Sequence, residues 1–319
     1  MTLFSSYMRT SVPLLALLAV GCSLLAPTDA ELLGGFPPQS GGTTGLGGAN
    51  PSGGSGGFAG GASGSGTGGI LGAGGIGGNI VPAPMQPAQT ALSVWLKADS
   101  GLSTTDNQVT AWASPAIEQF PAYAVGQSVD AQQPVLGSAL LGGRSIPVFD
   151  GADDFLSNSE DHDFTSQSGF AFFIVLVPGA SDGSGEILSI DGANGYRLGL
   201  WQRDTALEFG STNPASPNLL TQNAFLTEDP VMIEVIGTRP SGGEAIVSTF
   251  INGVPIAGGA APTWDYETEV ALTLGGHDAD SPHFTGSIAE VLIYNEPLDG
   301  AARFGTEKYL MAKWGCCGR

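Results

Sequence analysis

The sequence predicts an all-β fold, an antiparallel β-sandwich with one short helix at its C-terminal end, and three observations predict it. From about residue 90 onward the chain breaks into short apolar or alternating runs separated by turn residues. No helical periodicity is interleaved among those runs, which argues against a parallel α/β sheet. Before that point the composition cannot support a core: residues 41 to 80 hold twenty glycines, and no charge occurs between Leu32 and Leu96. Such a stretch cannot bury enough apolar surface to offset the entropy of ordering its backbone.

Taken in order, residues 1–21 read as an export signal. One positive charge at Arg9 precedes an apolar run from Val12 to Val20, and a small residue, Gly21, stands before Cys22. The run is far short of the ~20 residues that span a bilayer. The end of the signal, Leu18-Ala19-Val20-Gly21-Cys22, resembles the bacterial lipobox, with Ala19 where leucine is commonest. That resemblance implies that Cys22 becomes the lipidated mature N-terminus. With Ser23 next to it, proteobacterial sorting rules direct the protein to the outer membrane, facing the periplasm or the cell surface. The competing reading is an ordinary signal cut nearby, for instance after Ala30, with Cys22 discarded. Residues 22–88 form a Gly/Ser/Pro-rich tether whose root-mean-square span as a flexible coil is about 45 Å. The GAGGIGG run within it is compositional: no strand precedes it and no helix follows.

Residues 89–319 carry all five tryptophans and a single predicted domain. LSVWLKA, QVTAWA, SIPVF, FAFFIVLV, EILSI, YRLGLW, ALEFG, VMIEVIGT, AIVSTFI, VALTLGG and GSIAEVLIYN all have strand composition. Phe170 to Val177 is apolar throughout, as a central strand buried on both faces would be. Asn252-Gly253 signals a type I′ hairpin, which needs positive φ at both positions. Leu298 to Trp314 is the one convincing helix, with Asp299 as N-cap and Leu298, Ala302, Tyr309 and Leu310 along its apolar face.

Several segments together, ALSVWLKADSGL, VTAWAS, GRSIPVFDGADDFL, VSTFINGVPI and FTGSIAEVLIYNEPLDGAARFGTEKYLMAKWG, resemble the concanavalin A-like lectin/glucanase superfamily in its laminin-G-like form, as found in bacterial lipoproteins of proteobacterial or myxobacterial type. The resemblance covers nearly all of residues 91 to 315 and implies a jelly-roll sandwich. One departure is Ala113-Ser114-Pro115, where relatives commonly carry Asp-x-Ser-Gly-x-Gly. Laminin-G relatives often hold one Ca2+ at a sandwich rim.

The formal net charge is −20, with the few basic residues scattered singly, which excludes nucleic acid as a partner. Glycosidic cleavage needs an acid and a nucleophile on one face. The paired-carboxylate strand motif of the superfamily's glucanases is absent: Glu290 has no carboxylate at its same-face neighbours Ile288 and Leu292, and reads as structural. His162, His277 and His283 lack metal-ligand spacing and read as loop histidines. Two acidic loops supply hard oxygen ligands for Ca2+, through Asp150, Asp153 and Asp154 in FDGADDFL and Asp278 and Asp280 in GGHDADSPH. Asp and Gly also make ordinary turns, and Asp150 serves equally as a turn cap. Trp264 and Trp201 are the candidate sugar-stacking residues, the other tryptophans reading as core. Cys316-Cys317 leaves exposed thiols, an intermolecular bridge and a redox pair open.

The expected function is a non-catalytic binding or adhesion module, held at the envelope by lipid and tether, that recognises a glycan or a surface protein. A glycan-active enzyme with unrecognised carboxylates and a purely structural envelope protein are the alternatives.

Overall fold

The computed structural model describes residues 85–317 apart from 118–119, 161, 180–183, 193–196, 204–205, 212–217, 223–228, 242–244, 261–268 and 278–281. The export signal, Cys22, most of the tether, Trp264, Asp278 and Asp280 lie outside the described residues. In chain order the strands are β1 (Leu92–Lys97), β2 (Leu102–Thr105), β3 (Gln108–Ser114), β4 (Tyr123–Gly126), β5 (Val135–Leu141) and β6 (Arg144–Asp150). Then come β7 (Leu156–Asn158), β8 (Gly169–Pro178), β9 (Gly185–Gly192), β10 (Arg197–Arg203), β11 (Ala206–Ser211) and β12 (Asn218–Gln222). The last are β13 (Val231–Thr238), β14 (Ile246–Ile251), β15 (Val254–Ala260), β16 (Glu269–Leu274) and β17 (Thr285–Tyr294), followed by helix α1 (Gly300–Trp314). All eleven strands expected from composition are present.

The pairings trace two antiparallel layers. A back layer runs β15–β14–β13–β8–β17–β1, and a front layer runs β12–β11–β10–β9–β16–β7–β4–β3–β2. They join along one edge, where β17 pairs with β6, β6 with β5, and β5 with β3. This is the predicted sandwich, consistent with a jelly roll. Among the described residues no helix is long and apolar enough to cross a membrane.

β8 explains the layering. Phe170 and Phe172 stack at 4.6 Å and meet Phe209 of β11 at 5.9 and 6.4 Å, so alternate β8 residues fill the space between the layers. Phe173 points the other way, to Tyr294 at 5.9 Å, under α1. Each fully buried phenylalanine contributes roughly 1.5–3 kcal/mol. Burial on both faces is why this strand reads as a continuous apolar run.

Local signals fold as their chemistry requires. Asn252 and Gly253 have φ of 52° and 73° and close the two-residue hairpin between Ile251 and Val254. Asp299 Oδ1 accepts from the Ala301 and Ala302 amides at 2.9 and 2.8 Å, the expected N-cap. The buried side of α1 differs from the expected apolar face: besides Tyr309 and Leu310 it carries Thr306, Glu307 and Trp314. Glu307 is tolerated there because Arg303, one turn before it, bonds both Glu307 Oε1 at 2.7 Å and Glu234 of β13 at 2.8 Å.

Glu290 of β17 clamps the helix. Its carboxylate is fully buried and accepts from Trp95 Nε1 at 2.6 Å, Tyr309 Oη at 2.7 Å and Trp314 Nε1 at 2.7 Å, and it pairs with Lys313 Nζ at 2.7 Å. One carboxylate thus ties β1, β17 and α1 together, in agreement with its structural reading.

Candidate functional site

The outer face of the front layer is built by strand alternation. In β9 and β10, Leu188, Ile190, Leu198 and Leu200 turn into the core, which sends Ser189, Asp191, Arg197, Gly199 and Trp201 outward. Register then extends a row of small residues across six strands. Gly126 pairs with Ser157, Ser157 with Thr273, Thr273 with Ser189, Ser189 with Gly199, and Gly199 with Gly210. The result is a row of glycine and hydroxyl residues running across the outer side of the front layer. Ser189 and Thr273 in its middle are buried, while Gly126 and Ser157 toward β4 are half-buried.

Trp201 lies across this row. A Cβ at Gly199 would stand 2.2 Å from the indole ring, so only glycine lets the ring lie down there. The indole is 7% exposed. It therefore presents little of the open ring face that sugar stacking needs, unlike the exposed platform expected from sequence.

Beside this row stands a charged group. Arg197 donates through Nε to Asp191 Oδ1 at 2.9 Å and through Nη1 to Glu186 Oε2 at 3.3 Å, and His277 Nδ1 lies 3.1 Å from Asp191 Oδ2. Burial pushes the Glu186 carboxyl up to about 7, against the opposing pull of Arg197 and His277. The Asp191 carboxylate raises His277 above the ordinary imidazole value. Glu186 is 2% exposed, and the Ser189 side chain beside it helps hold the carboxylate form against that burial. Sequence reasoning missed this group. Its trace was the polar interruptions of GEILSIDG at Glu186, Ser189 and Asp191, answered by Arg197 at the start of the next strand.

The histidines differ from simple loop residues. His162 is buried against Tyr123 at 4.7 Å and Phe164 at 5.1 Å, with Nε2 3.1 Å from Ser93 O, and burial lowers its pKa. His283 is buried as well, its ring packed against Gly276. Trp95, Trp112 and Trp314 are core, as expected.

At the rim, the structure brings Asp150, Asp153 and Asp154 together, with carboxylate oxygens within 4.8 Å of one another. Asp150 Oδ1 accepts from the Ala152 and Asp153 amides at 2.7 and 3.4 Å, which is the turn-capping role. Asp154 is 4% exposed, and its Oδ2 accepts from the Asp150 amide at 2.9 Å. Burial pushes the Asp154 carboxyl up to about 6 against that bond, and the charges of Asp150 and Asp153 push it further. A Cβ at Gly275 would stand 3.2 Å from Asp154 O, so the second acidic loop starts beside the first. The donor set fits a hard cation: three crowded carboxylates, each with a second oxygen, whose mutual repulsion a divalent charge would relieve.

Residues 150–302, from the end of β6 into α1, match the model of a laminin-G-type family described as the concanavalin A-like lectin/glucanases superfamily. Among solved structures, the chain is similar to the CBM40 module of the Ruminococcus gnavus IT-sialidase bound to alpha2,3 sialyllactose. Identity there is 16% over 42% of this chain and 79% of that one, with a TM-score of 0.34. A heptameric SAP-like pentraxin from Limulus polyphemus aligns at 12% identity over 50% of this chain and 78% of that one, with a TM-score of 0.39. The receptor-binding domain of botulinum neurotoxin type G aligns at 9% identity over 70% of this chain and 53% of that one, with a TM-score of 0.41. At these identities and scores the likenesses assign no function. No curated protein matches the chain.

Proposed function

We propose that this chain, whose residues 150–302 match the concanavalin A-like superfamily, is a non-catalytic recognition module for carbohydrate. Lipid on Cys22 and the tether hold it at the bacterial envelope or cell surface. The observation that carries the reading is the polar row across the outer side of the front layer. Its half-buried end at Gly126 and Ser157, with the partly exposed Arg197 and Asp191 along the same side, offers hydroxyl, donor and acceptor groups to a ligand rich in hydroxyl groups. The tether adds reach, letting a surface-held domain search about its own diameter. A glycan array probed with the purified chain tests this. Binding that falls at least tenfold (about 1.4 kcal/mol) in Arg197→Gln, with the melting temperature kept, supports this surface. No bound glycan, or undiminished binding in that variant, overturns it.

A specific observation also supports a cation at the rim. Asp150, Asp153 and Asp154 would hold Ca2+, which would neutralise their crowding and fix the loop between β6 and β7. A site filled to a hundred times its dissociation constant adds about 2.7 kcal/mol. Excess Ca2+ against chelator should then raise the melting temperature by about 5–10 °C. Asp154→Asn should remove most of that shift, and an unchanged curve in the native chain discards the cation.

The enzymatic alternative rests on Glu186, whose raised carboxyl falls in the range of a general acid, with Asp191 as second carboxylate. Both carboxylates are engaged by the same arginine, which favours binding over cleavage. Release of reducing ends from a bound glycan would reverse that preference.

A further inference from the structure

The chain leaves α1 through Gly315, a left-handed cap at φ 63° whose amide donates to Met311 O at 3.0 Å, and then joins Cys316 to Cys317 in a disulfide. A bridge between adjacent residues closes almost no loop, so it constrains the unfolded chain hardly at all. Stapling does not account for it. Its surroundings do suggest a chemical role, because the two sulfurs are placed unequally. Cys317 belongs to the core and is 8% exposed, in left-handed backbone at φ 65°, whereas Cys316 is half-buried at the margin of that core. Cys317 Sγ lies 3.8 Å from Pro230 O, at the entry to β13. In the disulfide that sulfur has no proton to donate. As a thiol it has an acceptor already in place, so the pocket suits both oxidation states.

We propose that Cys316–Cys317 is a thiol–disulfide exchange site, entered at Cys316 and opened by dithiols. A thiolate of the incoming dithiol attacks Cys316 Sγ. The Cys316–Cys317 bond breaks, and Cys317 Sγ leaves as a thiolate, takes a proton and turns to Pro230 O. The second thiol of the reductant then attacks its own partner sulfur in the mixed disulfide and expels Cys316 as a thiolate, which is protonated in turn. The dithiol ends as a disulfide, and the protein has gained two electrons and two protons. The helix is not released, because Trp314 stays bonded to Glu290 at 2.7 Å and Gly315 keeps its cap on Met311.

The test is alkylation of the full chain followed by peptide mass spectrometry, in which Cys22 falls in a separate peptide. The native chain should take no iodoacetamide at Cys316 or Cys317 before reduction and should take it at both after a dithiothreitol pulse, with α1 and tryptophan fluorescence unchanged. Two variants report the direction of entry. In Cys317→Ser, the thiolate of the remaining Cys316 should attack oxidised glutathione and form a mixed disulfide at least about tenfold faster than Cys317 does in Cys316→Ser, since exchange follows the access of the protein sulfur that reacts. Alkylation of both cysteines without reductant overturns the bonded pair. Equal rates in the two variants, or faster reaction at Cys317, overturn entry at Cys316 even where the pair is bonded.

Discussion

Two buried glutamates, Glu290 on the back layer and Glu186 on the front layer, are nearly equal in exposure and opposite in circumstance. Glu290 is surrounded by four donors from β1 and α1, every one at 2.7 Å or less. Glu186 has Arg197 at 3.3 Å on one oxygen and, among the described residues, only the Ser189 side chain besides, and burial pushes its carboxyl up to about 7. Burying a carboxylate costs several kcal/mol before compensation. Where compensation is complete, as at Glu290, the group acts as a clamp between elements. Where it is partial, polar capacity remains beside the front-layer row, and that is the side on which a ligand surface is proposed.

The comparison can be broken first at the clamp. Glu290→Ala leaves the Tyr309 hydroxyl and two indole N–H groups buried without their acceptor and Lys313 with Asp99 as its remaining carboxylate, and should cost about 3–5 kcal/mol. In a domain of this size that lowers the melting temperature by about 10 °C or more. Thermal denaturation of the variant checks this, and a loss below a few degrees would show that the four bonds are not the anchor of α1.

On the front layer the expected effects are smaller. Gly199→Ala would drive a Cβ into the Trp201 ring and should cost about 1–3 kcal/mol, with a changed tryptophan emission spectrum. Glu186→Gln sharpens the comparison through pH. With a folded value near 7 against the ordinary 4.5, the folded state holds more protons than the unfolded state across that interval. Stability therefore declines as pH rises from about 4.5 through 7 and levels off above it. Replacing Glu186 by glutamine should flatten that decline by about 1–3 kcal/mol between pH 5 and 8, measured as the difference between parallel melting series. Glu234 and Asp154, also raised by burial, contribute the same sign in both proteins and cancel in the difference. Smallest is Asp299→Ala, which removes the α1 N-cap and should cost about 1 kcal/mol in chemical denaturation.

Much of the scaffold was legible because it is written in local chemistry. The strand composition of EILSI, the continuous apolar run Phe170 to Val177, Asn252-Gly253 and Asp299 before a helix each state a backbone preference or a burial pattern within a few residues. Short strands without an apolar signature escaped, among them Leu102–Thr105 and Leu156–Asn158, the first of which is mostly exposed. The rim cluster was half legible, since Asp150, Asp153 and Asp154 are neighbours in sequence as well as in space.

The sequence by itself determined the layered β architecture, the capped helix and the acidic, weakly basic character of the domain, because periodicity, turn propensity and charge are properties of short segments and sums. Tertiary structure alone decided the front-layer row and the clamp. Ser157, Ser189, Gly199 and Thr273 become one row only through strand register, and a register shift of one residue would send each to the core. Glu290 carries no sign of its role until Trp95 arrives from β1 and Tyr309, Lys313 and Trp314 fold back on α1, since burial and partners, which decide whether a carboxylate clamps a fold or waits for a ligand, are set by tertiary contacts.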